Sequence, residues 1–176
     1  MMGVVRQIAH QQLAALVSSP LGRRISGVHL HHSWRPAHVD CRGQPKIDAA
    51  TDVRVLAFGN TEATGTFGYC QKRFVDVPIA SPDCRGAIGG EADNATYGCD
   101  AGLELVASHP LLARDSCTGD SGGPFYVQDG VAWLLAAATS RATDSSMSNC
   151  GDGGVYVRVD RYRTWIDAIP GVILPA

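Results

Sequence analysis

The chain has 176 residues, enough for one domain with a sizeable core, or one domain plus a small appendage. A formal net charge of -2, with 18% charged residues, gives no electrostatic case for nucleic acid. The hydrophobic fraction is 45%, but arginines, aspartates and glycines interrupt it too often to leave a run long enough to span a membrane. Six cysteines, at 41, 70, 84, 99, 117 and 150, are many for a cytosolic protein. Their even number and wide spacing, without a Cys-x-x-Cys pair, favour disulfides over metal ligation and leave the connectivity open. No metal or cofactor is expected.

In chain order, Met1 to Arg6 lack the basic-then-apolar pattern of a secretory signal. Val4, Val5, Ile8, Leu13, Leu16 and Val17 fall near helical spacing, and Ser18 to Gly22 stop the run. An amphipathic helix over 4–17 is the expectation, with a degraded leader segment as the other reading. His29, His31, His32 and His38 form the densest histidine cluster. Two of them would share a face of an extended segment, but no suitably spaced Cys or acidic residue completes a metal site. A surface loop with Trp34 tucked against the core is expected there. Val53 to Gly59 alternates as a strand would, and Asn60 to Glu62 turns it. Asp83 to Asn94 reads as a polar loop. Phe125 to Val127 and Val131 to Ala138 read as strands joined by a turn at Gln128 to Gly130, followed by a hydroxyl-rich loop over Thr139 to Asn149. Tyr162, Trp165, Ile166 and Ile169 fall on one side of a terminal helix.

The stretch with the most chemistry is Asp115-Ser116-Cys117-Thr118-Gly119-Asp120-Ser121-Gly122-Gly123-Pro124. One serine stands among glycines that permit tight backbone angles and let peptide N–H groups converge on an incoming carbonyl. An ordinary Gly/Ser/Asp turn is the competing reading of so short a pattern. Gly119 to Pro124 resembles, without a substitution, the Gly-Asp-Ser-Gly-Gly-Pro nucleophile loop of the trypsin-like (chymotrypsin-fold) serine proteases. An aspartate, a small residue and a cysteine precede it, as in members that cleave after basic residues.

The resemblance is continuous over roughly 51–169 and implies an all-β fold, the six-stranded antiparallel second barrel of a chymotrypsin-like protease. Val53 to Gly59 resembles its first strand, with Phe58 where tryptophan is usual. Cys70 to Ile79 resembles the next strand, Tyr97 to Gly102 the strand end after a bridge, and Gly151 to Val159 the last strand. Residues 1–50 are then a helical and irregular segment, read as a remnant of a truncated or missing first barrel, and 170–176 a tail. Bridges Cys84–Cys99 and Cys117–Cys150 are implied. Cys41 and Cys70 would pair only by elimination. Ser121 would be the nucleophile of an acyl-enzyme mechanism, with the N–H groups of Gly119 and Ser121 as the oxyanion site.

Asp115 matches the aspartate at the bottom of the pocket in members that prefer Arg or Lys, with Ser116 beside it. Ser140 matches the start of the substrate-binding edge, Ala142 stands where glycine is frequent, and Gly154 matches the glycine that leaves the far wall open. Arg141 replaces a tryptophan, and would either repel a cationic substrate or swing into solvent. Asp120 matches the aspartate that pairs with a newly released amino terminus, and Arg24-Ile25-Ser26-Gly27 bears a faint likeness to the cut site. Family order makes His109 a surface residue. A peptide or protein substrate and an oxidising, extracellular compartment are the corresponding expectations.

The Ala-Ala-His-Cys and Ile-Ala-Leu contexts of the family's catalytic histidine and aspartate do not occur. Three readings follow: a trypsin-like peptidase by ancestry, either a partial chain or one whose missing half comes from elsewhere; a non-catalytic binding or inhibitory domain; or an active enzyme whose base comes from the histidine cluster, with His32 and Asp40 as candidates.

Overall fold

The computed structural model describes residues 44–64, 67–108 and 114–171. The helix expected over 4–17, Ile25, the histidines at 29 to 38, Asp40, Cys41 and His109 lie outside the described residues. A short helix α1 (Gln44–Ala49) leads into β1 (Asp52–Ala57) and β2 (Arg73–Ser81). A small hairpin, β3 (Ala87–Ile88) and β4 (Glu91–Ala92), precedes the short helix α2 (Asp93–Tyr97). Then come β5 (Glu104–Ala107), β6 (Pro124–Asp129), β7 (Ala132–Ala142) and β8 (Gly154–Arg158). A 3-10 turn (Val159–Tyr162) runs into the final helix α3 (Arg163–Asp167).

Six strands close into an antiparallel barrel in the order β1-β2-β5-β8-β7-β6, with β6 pairing back onto β1. This is the chymotrypsin-like barrel expected from the sequence. Alternation builds it: Val53 and Val55 of β1 point inward to Val77, Leu105, Phe125, Val127 and Tyr156, and Ile47 of α1 joins the same core. Each such aliphatic or aromatic side chain contributes about 1.5–3 kcal/mol by leaving water. Arg54, between the two valines, stands on the outer face, bonded to both Asp76 oxygens at 2.7 Å and stacked over Phe74 and Trp133. A second cluster of Ala138, Val157, Val159 and Ile166, with Tyr162 and Trp165 against it, seats the terminal helix.

Several boundaries differ from the sequence expectation for physical reasons. Strand β2 starts at Arg73, because Cys70 sits in a turn at φ 67° with its N–H donated to the Phe58 carbonyl. Strand β7 runs past Ala138 to Ala142, since Thr139, Arg141 and Ala142 pair with β8. The 83–94 loop contains the β3–β4 hairpin, turned at Gly89 and Gly90. Both implied bridges, Cys84–Cys99 and Cys117–Cys150, are formed, while Cys70 is exposed and free.

Arg158, at the end of β8, is 0% exposed and donates to Asp48 (2.7 Å), the Pro82 carbonyl (2.8 Å) and both oxygens of Asp160 (3.1 and 2.9 Å). It thereby ties α1, the turn after β2 and the last strand together. Arg158→Met removes both bonds of the two-pronged contact to the Asp160 carboxylate, 6% exposed, and leaves it only the Arg161 guanidinium at 3.4 Å. The expected loss is about 3–5 kcal/mol in urea unfolding; a loss below about 1 kcal/mol would show that the cluster does not hold these segments.

Candidate active site

The Ser121 loop between β5 and β6 is held from two directions. Asp120, 8% exposed, accepts from the Gly59 N–H (2.7 Å) and the Cys117 N–H (2.8 Å), one on each carboxylate oxygen. Asn60 N–H donates to the Thr118 carbonyl at 3.0 Å. From the other side, Gly122 N–H donates to the Thr139 carbonyl and Thr139 N–H to the Gly123 carbonyl, both at 2.9 Å. These bonds place the loop against the end of β1 and the middle of β7. Gly59 has to be glycine, because a Cβ there would overlap the Asp120 carboxylate and lie 2.7 Å from the Thr118 carbonyl.

Gly119 sits at φ 96°, and a Cβ on it would come within 2.9 Å of the Tyr69 ring and 3.1 Å of the Gly59 Cα. Among the described residues neither the Gly119 N–H nor the Ser121 N–H has a hydrogen-bond acceptor, and the Ser121 hydroxyl has no partner. Ser121 is exposed and opens into a cavity of ≈ 430 Å³ that Gly119, Ser116, Ser140 and Ala142 also line. Ser140 reaches it through a register shift between β7 and β8, where Thr139 pairs Tyr156 and Arg141 pairs Val155. The extra residue is Ser140, so the bulge sets its direction.

The remaining predicted residues are placed around this cavity. Asp115 borders a neighbouring cavity of ≈ 500 Å³ together with Asp120, Asp152 and Asn60, and Cys117 lines both. Its carboxylate accepts from Gly151 N–H (2.5 Å) and Gly153 N–H (2.7 Å). Burial raises the Asp115 pKa above the usual carboxylate value, and these two N–H groups oppose that without reversing it. Gly154 lies behind, where a Cβ would come within 2.7 Å of the Tyr156 hydroxyl. Arg141 neither faces the cavity as a free charge nor swings into solvent, because its guanidinium pairs with both oxygens of Glu104 (2.7 and 2.8 Å). His32 and Asp40 lie outside the described residues, and no histidine occurs among the described ones.

Sequence reasoning missed several contributors. Tyr156 is wholly buried against Phe125 and donates its hydroxyl to Ser116 (3.2 Å), with burial pushing its pKa up. Asn60 is 5% exposed, and neither polar atom of its side chain has a partner among the described residues. Gly59, Tyr69 and Glu104 were likewise invisible as site neighbours, since each is far from Ser121 in the chain.

A sequence model of the trypsin family, described as Trypsin, matches residues 19–166. The match begins well before residue 51, where the resemblance was expected to start. Among curated proteins, Trypsin zeta of Drosophila melanogaster is 29% identical over 119 residues, 68% of this chain and 40% of that protein. Trypsin zeta of Drosophila erecta is 29% identical over 126 residues, 72% of this chain and 42% of that protein. The chain belongs to the trypsin family. It spans about two fifths of the length of these relatives.

The raised Asp115 pKa has a definite sign in stability. Its contribution is complete below the unfolded value of about 3.9 and is lost as pH rises through the higher folded value. Relative to the non-titrating Asp115→Asn, the chain is expected to gain stability between pH 7 and pH 4 in urea midpoints. A pH-independent difference between the two would show that Asp115 is not desolvated. For the Ser121 loop, peptide mapping without reduction is expected to recover Cys117 and Cys150 in one linked species. Recovery of both as free thiols would remove the clamp on this loop.

Proposed function

We propose that this chain is a serine-type endopeptidase that works through an acyl-enzyme on Ser121. The observation that carries the reading is the pair of acceptor-free N–H groups of Gly119 and Ser121, bordering the same cavity as the serine hydroxyl. Donors already fixed before the charge develops are the largest electrostatic aid to acyl transfer, each worth about 3 kcal/mol. Ser121 Oγ would attack the scissile carbonyl, the two N–H groups would hold the oxyanion, and water would release the acyl group.

The base has to come from a histidine. His32, oriented by Asp40, is the candidate within this chain, and a first-barrel half supplied by another polypeptide is the alternative source. Asp115 carries the preference for Arg or Lys: its half-buried carboxylate sits one residue from the cavity wall at Ser116, and an opposite charge there rewards a cationic side chain. Secretion fits the two disulfides, which persist in oxidising compartments. The second reading, a catalytically incomplete fragment or binding domain, rests on the sequence, in which the Ala-Ala-His-Cys and Ile-Ala-Leu contexts of the family's catalytic histidine and aspartate do not occur.

Turnover of small Arg and Ala esters by the purified chain separates the two readings. The expected outcome is Arg-selective turnover that Ser121→Ala lowers by about a thousandfold or more and that Asp115→Ser shifts away from Arg and Lys. Turnover equal to that of Ser121→Ala at matched fold content would rule out a base within this chain, His32 included, and with it enzymatic activity of the chain by itself. An unchanged Arg preference in Asp115→Ser would remove only the specificity.

A further inference from the structure

The wall of the Ser121 cavity includes residues 139–143 and 146–149, and most of this stretch lies in a loop beyond β7. Apolar packing does not hold it: Thr143 and Ser146 turn toward each other, and Met147 is fully open to solvent. Backbone pairing with β8 holds Thr139 to Ala142, and Thr143 N–H donates to the Gly153 carbonyl (3.2 Å); beyond these, the side chain of Arg141 ties the wall to the barrel. One guanidinium nitrogen donates to Glu104 Oε1 (2.7 Å) and the Ser140 hydroxyl (3.3 Å). The other donates to Glu104 Oε2 (2.8 Å) and the Gly98 carbonyl (2.6 Å).

Glu104 belongs to β5, which is separated from β7 by β8, so the side chain of Arg141 spans an intervening strand. The carboxylate is 6% exposed and also accepts from the Asp100 N–H at 2.8 Å. A planar guanidinium meeting a buried carboxylate with two prongs fixes direction as well as distance. The hydrogen bond to Glu104, with the charges of Asp100 and Asp144 adding to it, raises the Arg141 pKa. A second link lies beside it. Asp144 N–H donates to the Tyr97 carbonyl (3.1 Å), and a Cβ at Gly98 would overlap the Asp144 carboxylate. The wall is therefore pressed onto the segment that follows α2 and ends the Cys84–Cys99 loop.

We propose that Arg141 is a positioning residue which, through Glu104, holds the wall of the Ser121 cavity against the 97–104 segment. Its functional meaning rests on the reading of that cavity as the place of the substrate side chain. The strut acts on the cavity from a residue, Glu104, that does not line it.

Amide hydrogen exchange on Glu104→Gln and Arg141→Lys tests this. Glutamine keeps the shape of the carboxylate without its charge, and lysine keeps the charge without the two-pronged contact. In both, exchange at Thr143 and Asp144 is expected to accelerate about tenfold or more while Val55 and Val127 keep their protection. Unchanged exchange at Thr143 and Asp144 would overturn the proposal, and so would equal acceleration across the barrel, which would mark a general loss of stability. Should Glu104→Gln not fold, Arg141→Lys carries the same test. A several-fold rise in KM with kcat held in Glu104→Gln would tie the wall to substrate. An opened wall with unchanged KM would leave the strut standing and overturn the assignment of the cavity to substrate.

Discussion

The carboxylate of Asp120 is the constraint on which the candidate site depends. A buried carboxylate needs donors on both oxygens, and here they come from two distant segments: Gly59 at the end of β1 and Cys117 at the start of the Ser121 loop. Satisfying that one group brings the loop down onto the barrel. The close approach excludes a side chain at Gly59, because a Cβ there would overlap the carboxylate. It also places Gly119 against Tyr69, so the peptide N–H that would hold an oxyanion has its surroundings set by a residue 50 positions earlier in the sequence.

Barrel closure and the two disulfides supply the rest of the scaffold. Strand β7 is the common element, since it pairs with β6 and β8, exchanges backbone bonds with Gly122 and Gly123, and delivers Ser140 at a bulge. The Cys117–Cys150 bridge joins the start of the Ser121 loop to the segment before β8. The same segment provides the Gly151 and Gly153 N–H groups that accommodate Asp115. Loop, bridge and carboxylate are thus one unit, while the Cys84–Cys99 bridge serves the far side of the cavity wall.

Buried charge is handled in two ways. Arg158 and Arg141 are matched with carboxylates in two-pronged contacts, so their burial joins strands and loops without leaving a charge unpaired. Asp115 meets only backbone N–H groups, and burial raises its pKa despite them.

The barrel was legible in the chain because period-two alternation at Val53 and Val55 can bury only one face of a strand. The loop from Asp115 to Pro124 was equally legible, as glycines flanking a single serine state a local backbone requirement that needs no partner to be seen. Strand ends were less so, because Cys70 leaves the β2 ladder through a turn and Thr139 to Ala142 stay in β7 only through pairing with β8. Hidden altogether were the roles of Gly59, Asn60, Tyr69 and Glu104, and the turning of Arg141 onto a carboxylate 37 residues away. The sequence by itself determined the family, the strand pattern and the residues able to do chemistry, since these are local in composition and spacing. Only the tertiary structure decided which of them share a cavity and which way Asp115 and Arg141 point, because hydrogen-bond satisfaction of buried charges is settled between strands and not along them.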